Sequence, residues 1–130
     1  MTVKYIKERM AYWNSLCFGG ELPEIEVKLS RAKSYLGRFE LKYPTVRFLG
    51  RRIRVPFSNP SSIIRISTAF NLSEDQQDDV ILHEMIHYWL YFKGLQDRRP
   101  HGPHFRAKMK ELNTRFGRHL VIRYKAEQLK

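Results

Sequence analysis

The chain has 130 residues and a mass of 15.6 kDa, enough to bury the core of one compact domain spanning 1–130 without disulfides. A single cysteine, Cys17, excludes an internal disulfide and any multi-cysteine metal site, and no stretch approaches the roughly 18 apolar residues of a membrane span. Formal net charge is +11, from 24 Lys plus Arg against 13 Asp plus Glu, and the excess lies from Lys28 onward.

Val3, Ile6, Met10, Trp13 and Cys17 follow a 3-4-3-4 spacing, which predicts an amphipathic helix capped by Thr2 and stopped at Gly19-Gly20. The period then changes to two. Ile25, Val27 and Leu29 alternate with Glu26, Lys28 and Ser30, and Phe39, Leu41 and Tyr43 alternate with Glu40 and Lys42, predicting strands with one buried face. Pro44 marks a break. Val46 to Val55 mixes apolar residues with arginines, and Pro56 to Ser62 is rich in proline and serine, so an irregular, exposed connection is expected. Ile64, Ile66 and Thr68 alternate with Arg65 and Ser67 as a further strand, able to run beside the helix that follows.

Ser73-Glu74-Asp75-Gln76 is a capping-box start and Gly94 a stop, placing that helix at about Glu74 to Lys93. Pro103 suits a first helical position, and Phe105, Met109, Leu112 and Phe116 outline a third helix ended by Gly117. His119 to Lys130 is too mixed to assign. The fold class is therefore α+β: an N-terminal helix, a small, mainly antiparallel sheet, a long apolar helix and a following helix. The N-terminus lacks the apolar core of a secretion signal, so the protein is expected to be soluble and not secreted, and either cytoplasmic or nucleoid-associated (nuclear in a eukaryote).

The long helix carries the one motif that specifies a chemistry, His83-Glu84-Met85-Ile86-His87. Residues four apart share a helix face, so His83 and His87 can aim at one metal ion while Glu84 flanks the open coordination position. From Val80 to Phe92 these three are the only residues that are neither apolar nor aromatic. Burying them unpartnered would cost about 1–3 kcal/mol each, and more for the charge, a cost that a divalent cation removes. The blander alternative has both imidazoles hydrogen-bonded in a core and Glu84 paired with an arginine.

A catalytic zinc takes three protein ligands, so a third is needed. The candidates are His101, His104, His119, Asp97 and Glu111. His101 is best placed, just before Gly102-Pro103 in a turn that returns the chain from one helix to the next, whereas Glu111 has basic neighbours and suits a surface ion pair. The longer HExxHxxGxxH pattern fails, because Leu90 and Lys93 stand where its glycine and histidine would be.

His83-Glu84-Met85-Ile86-His87 followed by His101-Gly102-Pro103-His104-Phe105 resembles the SprT-like metallopeptidase domain of the SprT and Spartan proteins. There HExxH is followed by a third histidine in an H-G-P-x-F turn. Asn14, Phe18, Leu22, Pro23 and Gly37 are similar to that family's N-terminal half, and the resemblance covers roughly residues 3 to 116. It implies a zincin-like fold, Zn2+ held by His83, His87 and His101, Glu84 as catalytic acid/base, and protein substrates bound or crosslinked to DNA. Two departures stand out. His104 occupies a position that is often glutamate in the family, and the chain contains no cysteine zinc ribbon of the kind many bacterial relatives carry.

The charge points the same way independently, because an arginine-rich surface suits phosphate contacts. Arg47, Arg51, Arg52 and Arg54 form the densest cluster and are the candidate nucleic-acid contacts, with Phe48 or Phe57 near enough in sequence to stack on unpaired bases. Tyr88, Tyr91 and Tyr124 are candidates to assist an oxyanion. The competing functional readings are a nucleic-acid-binding module with a non-catalytic metal and a metal-dependent nuclease. Magnesium sites favour carboxylates and water, so a histidine-rich site argues against the nuclease.

Overall fold

The computed structural model describes residues 1–123. Helix α1 (Val3–Cys17) buries the stripe Ile6, Met10, Trp13 and Cys17, and the Thr2 hydroxyl caps it by accepting from the Tyr5 N–H at 3.1 Å. It ends where Gly19 and Gly20 turn left-handed, at φ 63° and 70°. Just past this turn the Asn14 side chain holds Leu22 by both its backbone groups, donating to its carbonyl at 2.9 Å and accepting from its N–H at 3.2 Å.

Strands β1 (Glu26–Ser30) and β2 (Gly37–Lys42) come next in the chain. They flank the later strand β5 (Ser61–Ser67), in the order β1-β5-β2. β1 runs parallel to β5 and β2 antiparallel, with Val27, Ile64 and Phe39 in register across the sheet. One face packs on helix α2 (Glu74–Lys93), where the Phe39 ring lies 5.8 Å from Tyr88 and 5.9 Å from Tyr91. Ile63 and Ile64 are both buried although they point to opposite faces, as a central strand requires. β5 therefore starts at Ser61, inside the segment expected to be irregular.

The larger difference is at Val46 to Val55. Instead of an irregular connection, β3 (Thr45–Phe48) and β4 (Arg51–Arg54) form an antiparallel hairpin. Its two-residue turn has Leu49 and Gly50 both left-handed, at φ 51° and 77°, the geometry whose twist matches paired strands. The expectation of exposure holds, since every hairpin strand residue is exposed. A bond from the Val55 N–H to the Pro44 carbonyl at 2.9 Å closes its base.

α2 begins with the expected reciprocal capping box between Ser73 and Gln76 and ends at Gly94, φ 69°. It also buries two consecutive charges that the apolar pattern did not reveal. Asp78 accepts two bonds of 3.0 Å from Arg9 of α1, and Asp79 accepts from Arg118 at 2.9 Å. Both carboxylates are thus paired, as buried charges must be. Helix α3 (Pro103–Phe116) packs on α2 through Phe105 and Leu112 and stops at Gly117, φ 63°. The arrangement is α+β with a small, mostly antiparallel sheet. Among the described residues, no helix is long and apolar enough to cross a membrane.

Candidate metal centre

One turn of α2 separates His83 and His87, whose ring centroids lie 5.1 Å apart on the same face. His101 reaches them from the turn between α2 and α3. A ligating atom from each of the three histidines lies within 4.8 Å of the other two. Nε2 of His83 is 3.1 Å from Nε2 of His101. Two ring nitrogens that close must share a proton or a cation, and tetrahedral zinc with bonds of about 2.0–2.1 Å spaces its ligand nitrogens roughly 3.3 Å apart. The donor set therefore fits a metal ion. Three histidine nitrogens with no carboxylate among them suit zinc or another borderline transition metal rather than magnesium or calcium.

Each ring is held from behind. Nδ1 of His83 lies 3.1 Å from the carbonyl of Val121; a carbonyl can only accept, so this nitrogen carries the proton and Nε2 keeps its lone pair. Phe105, fully buried, forms the floor under all three imidazoles, with centroid distances of 4.9 Å to His83, 4.5 Å to His87 and 4.8 Å to His101. Burial pushes the imidazoles toward the neutral form that metals bind: the His83 pKa falls to about 4 and that of His87 to about 3. For His101 the same desolvation, helped by Arg123 and Arg106, also acts downward.

The turn that delivers His101 explains its own sequence. Asp97 accepts the backbone N–H of His104 at 3.0 Å and of Phe105 at 3.2 Å, capping α3 from across the loop. Its side chain fills the place a Cβ on residue 102 would take: such a carbon would sit 2.5 Å from Asp97 Cβ, so glycine is required there. Pro103 begins the helix, where its missing N–H costs nothing. Asp97 is thus a cap and not a ligand. His104 turns away to donate to Asp97 at 2.7 Å and lies outside the cluster. Glu111 is held by Lys108 and Arg115, as its basic surroundings suggested, and His119 is exposed outside the cluster.

Glu84, one residue after His83, is only 5% exposed. Burial raises its carboxyl pKa to about 8, against the pull of a hydrogen bond from the Phe39 N–H. The carboxylate can lie against β2 only because residue 37 is glycine: a Cβ there would sit 2.9 Å from both Cγ and Oε2 of Glu84. Two cavities meet at this point, both lined by Gly37, His83, Glu84 and His101. One, about 500 Å³, extends past Leu36, Phe70 and Ile122; the other, about 470 Å³, extends past Phe39, Leu90 and Arg98. The site is an open cleft bordered by the outer edge of β2.

Tyr88 is not available to this cleft, because it is buried with its hydroxyl donating to the Pro23 carbonyl at 3.2 Å. Tyr91 packs on Phe39, and Tyr124 lies outside the described residues. Arg47, Arg51, Arg52 and Arg54 are all on the β3–β4 hairpin, and none lines either cavity. The register puts Arg47 opposite Arg52 and Thr45 opposite Arg54, so Arg47, Arg52 and Arg54 share one face. Sequence reasoning missed the Val121 carbonyl and the role of Phe105 as floor. The spacing of Phe105 in α3 marked it only as core.

No curated protein gave a significant match to the chain. The family model of the SprT-like family matches residues 6–126, a span that holds the whole histidine cluster, Glu84 and the His101 turn. The chain belongs to the SprT-like family.

Proposed function

We propose that the chain is a zinc-dependent endopeptidase acting on proteins bound or crosslinked to DNA. One observation carries the reading: three histidine nitrogens converge at the floor of an open cleft beside a buried carboxylate that is not one of the clustered ligands. A purely structural zinc site is closed and has no use for such a neighbour. His83, His87 and His101 would hold the metal, which when bound supplies Lewis-acid polarisation of water and of the scissile carbonyl.

The chain's own groups do the rest. Glu84, held by Phe39 and shielded from bulk water, would be kept ionised by a cation at the neighbouring histidines and in that form accepts the proton of the attacking water and returns it to the leaving nitrogen. The outer edge of β2 has no strand partner among the described residues and borders the cleft, so an extended substrate can pair with its backbone groups other than the Phe39 N–H, which Glu84 holds. Glu84→Gln is expected to bind zinc as the parent does and to lose at least about 100-fold in turnover, the scale of a general acid–base contribution. Zinc stoichiometry and single-turnover cleavage check both halves, and undiminished turnover would sink the peptidase assignment.

The nucleic-acid part rests on the hairpin. Three arginines on one face are suited to phosphates, and Phe48, exposed on the other face beside Arg51, is suited to an unpaired base. That same feature favours the second reading, a nucleic-acid-binding module whose metal is not catalytic. Incubation with a DNA-bound protein, with and without chelator, separates them. Chelator-sensitive loss of the protein with intact DNA supports the peptidase, loss of the DNA a nuclease, and loss of neither the binding module.

A further inference from the structure

Beyond α3 the chain runs through a short irregular segment, residues 117–123, tied back to the helices at several points. The Arg118 guanidinium donates to Asp79 at 2.9 Å and to the Asp75 carbonyl at 2.8 Å, both on α2. Asn113, on α3, holds Leu120 by both backbone groups, accepting from its N–H at 2.8 Å and donating to its carbonyl at 3.0 Å. Leu120 itself is 3% exposed, within the core. The next residue is Val121, whose carbonyl meets Nδ1 of His83, and after it Ile122 and Arg123 line the larger cavity.

We propose that Asn113 is a positioning residue for the metal centre: by clamping Leu120 it aims the Val121 carbonyl at His83 and holds that imidazole in the tautomer whose Nε2 is free to bind metal. The inference rests on the metal-binding reading of the three histidines. A neutral imidazole chooses between two tautomers, and the partner on the far nitrogen decides which one faces the metal. Asn113 fixes the carbonyl of Leu120 and with it the planar Leu120–Val121 peptide. Only two dihedrals of Val121 then remain to direct its carbonyl. With the clamp removed, Leu120 can stay in the core while the peptide plane turns, and His83 loses its partner.

The fold contains its own control. Asn14 holds Leu22 through the same two bonds at the exit of α1, at 2.9 and 3.2 Å, and neither residue lines either cavity at the histidines. Zinc affinity is measured by chelator competition for the parent, Asn113→Ala and Asn14→Ala, alongside thermal unfolding and 15N-imidazole spectra of the metal-free proteins. Asn113→Ala is expected to bind zinc about tenfold or more weakly, the scale set by losing an outer partner of a ligating histidine. Its His83 signal should move from the Nδ1–H form to a mixture of tautomers. Asn14→Ala should lower the unfolding temperature but leave zinc affinity and the His83 spectrum unchanged.

Equal zinc affinity in the two folded variants, or a His83 tautomer unaffected by Asn113→Ala, would overturn the proposal. If Asn113→Ala does not fold, Asn113→Asp decides. It keeps the acceptor for the Leu120 N–H and loses the donor to the Leu120 carbonyl, so weaker zinc binding supports the clamp and parental binding refutes it. A parent protein that binds no zinc would instead refute the metal reading itself.

Discussion

Glu84 shows how closely a single side chain is fitted in this fold. Its carboxylate occupies the space that a methyl group on residue 37 would need, with Val80 Cγ1 closing the same space at 3.1 Å. Gly37→Ala should therefore displace the carboxylate rather than unfold the chain, because the group that must yield is the side chain and not the backbone. Zinc affinity should stay near parental while kcat falls about 100-fold, the cost of misplacing a catalytic group by about an ångström. Cleavage kinetics read beside metal titration check this, and parental kcat would show that Glu84 has room to spare. The residues that meet here were visible in the sequence: HExxH through its spacing, His101 through its place before Gly102-Pro103, and the H-G-P-x-F turn through the family resemblance. What was not visible is main chain and long range. Val121 contributes a carbonyl, which every residue has, and Asp97 caps α3 only because the loop folds it over Gly102.

The helices were legible as elements because capping residues and glycine stops bracket their apolar stripes, and α2 runs over the expected Glu74–Lys93. The β3–β4 hairpin was not, for two physical reasons. Its strands are only four residues each, so the alternation of Val46, Phe48 and Ile53 with polar neighbours is too short to stand out, and its turn uses Leu49-Gly50 in place of the asparagine–glycine pair that usually marks such a turn. An isolated two-stranded ribbon is marginal in water, and like charges directly opposite each other, as at Arg47 and Arg52, weaken it further. A bound polyanion would relieve that repulsion. Replacing Arg47, Arg52 and Arg54 together by Gln should weaken DNA binding and flatten its salt dependence, by about 0.7–0.9 in log–log slope for each phosphate no longer neutralised. Zinc affinity and thermal midpoint should not fall, because the hairpin packs chiefly on itself. Titrations of labelled DNA at several salt concentrations test this, and an unchanged slope would remove the hairpin from the nucleic-acid reading.

At the scale of the molecule, the histidine cluster joins α2, the turn after it and the run that follows α3, so a metal bound there would couple to folding. Free zinc at about 100 times its dissociation constant should stabilise the fold by about 2.7 kcal/mol. In a chain of this size that raises the unfolding midpoint by roughly 10 °C. The rise, read by calorimetry, should vanish in His101→Ala; a rise that persists would mean that zinc stabilises the fold elsewhere. The two consecutive aspartates of α2 extend the coupling to parts of the chain that never touch the metal. Asp78 grips α1 through Arg9, and Asp79 grips the run after α3 through Arg118. Neither of these outer segments can fray without leaving a carboxylate uncompensated in the core, a few residues from His83. The segments at the two ends of the described chain are therefore poor places for independent opening. The α1 amides around Arg9 and the Leu120 amide should exchange with solvent nearly as slowly as those of α2 itself, although the histidine cleft stays open to solvent.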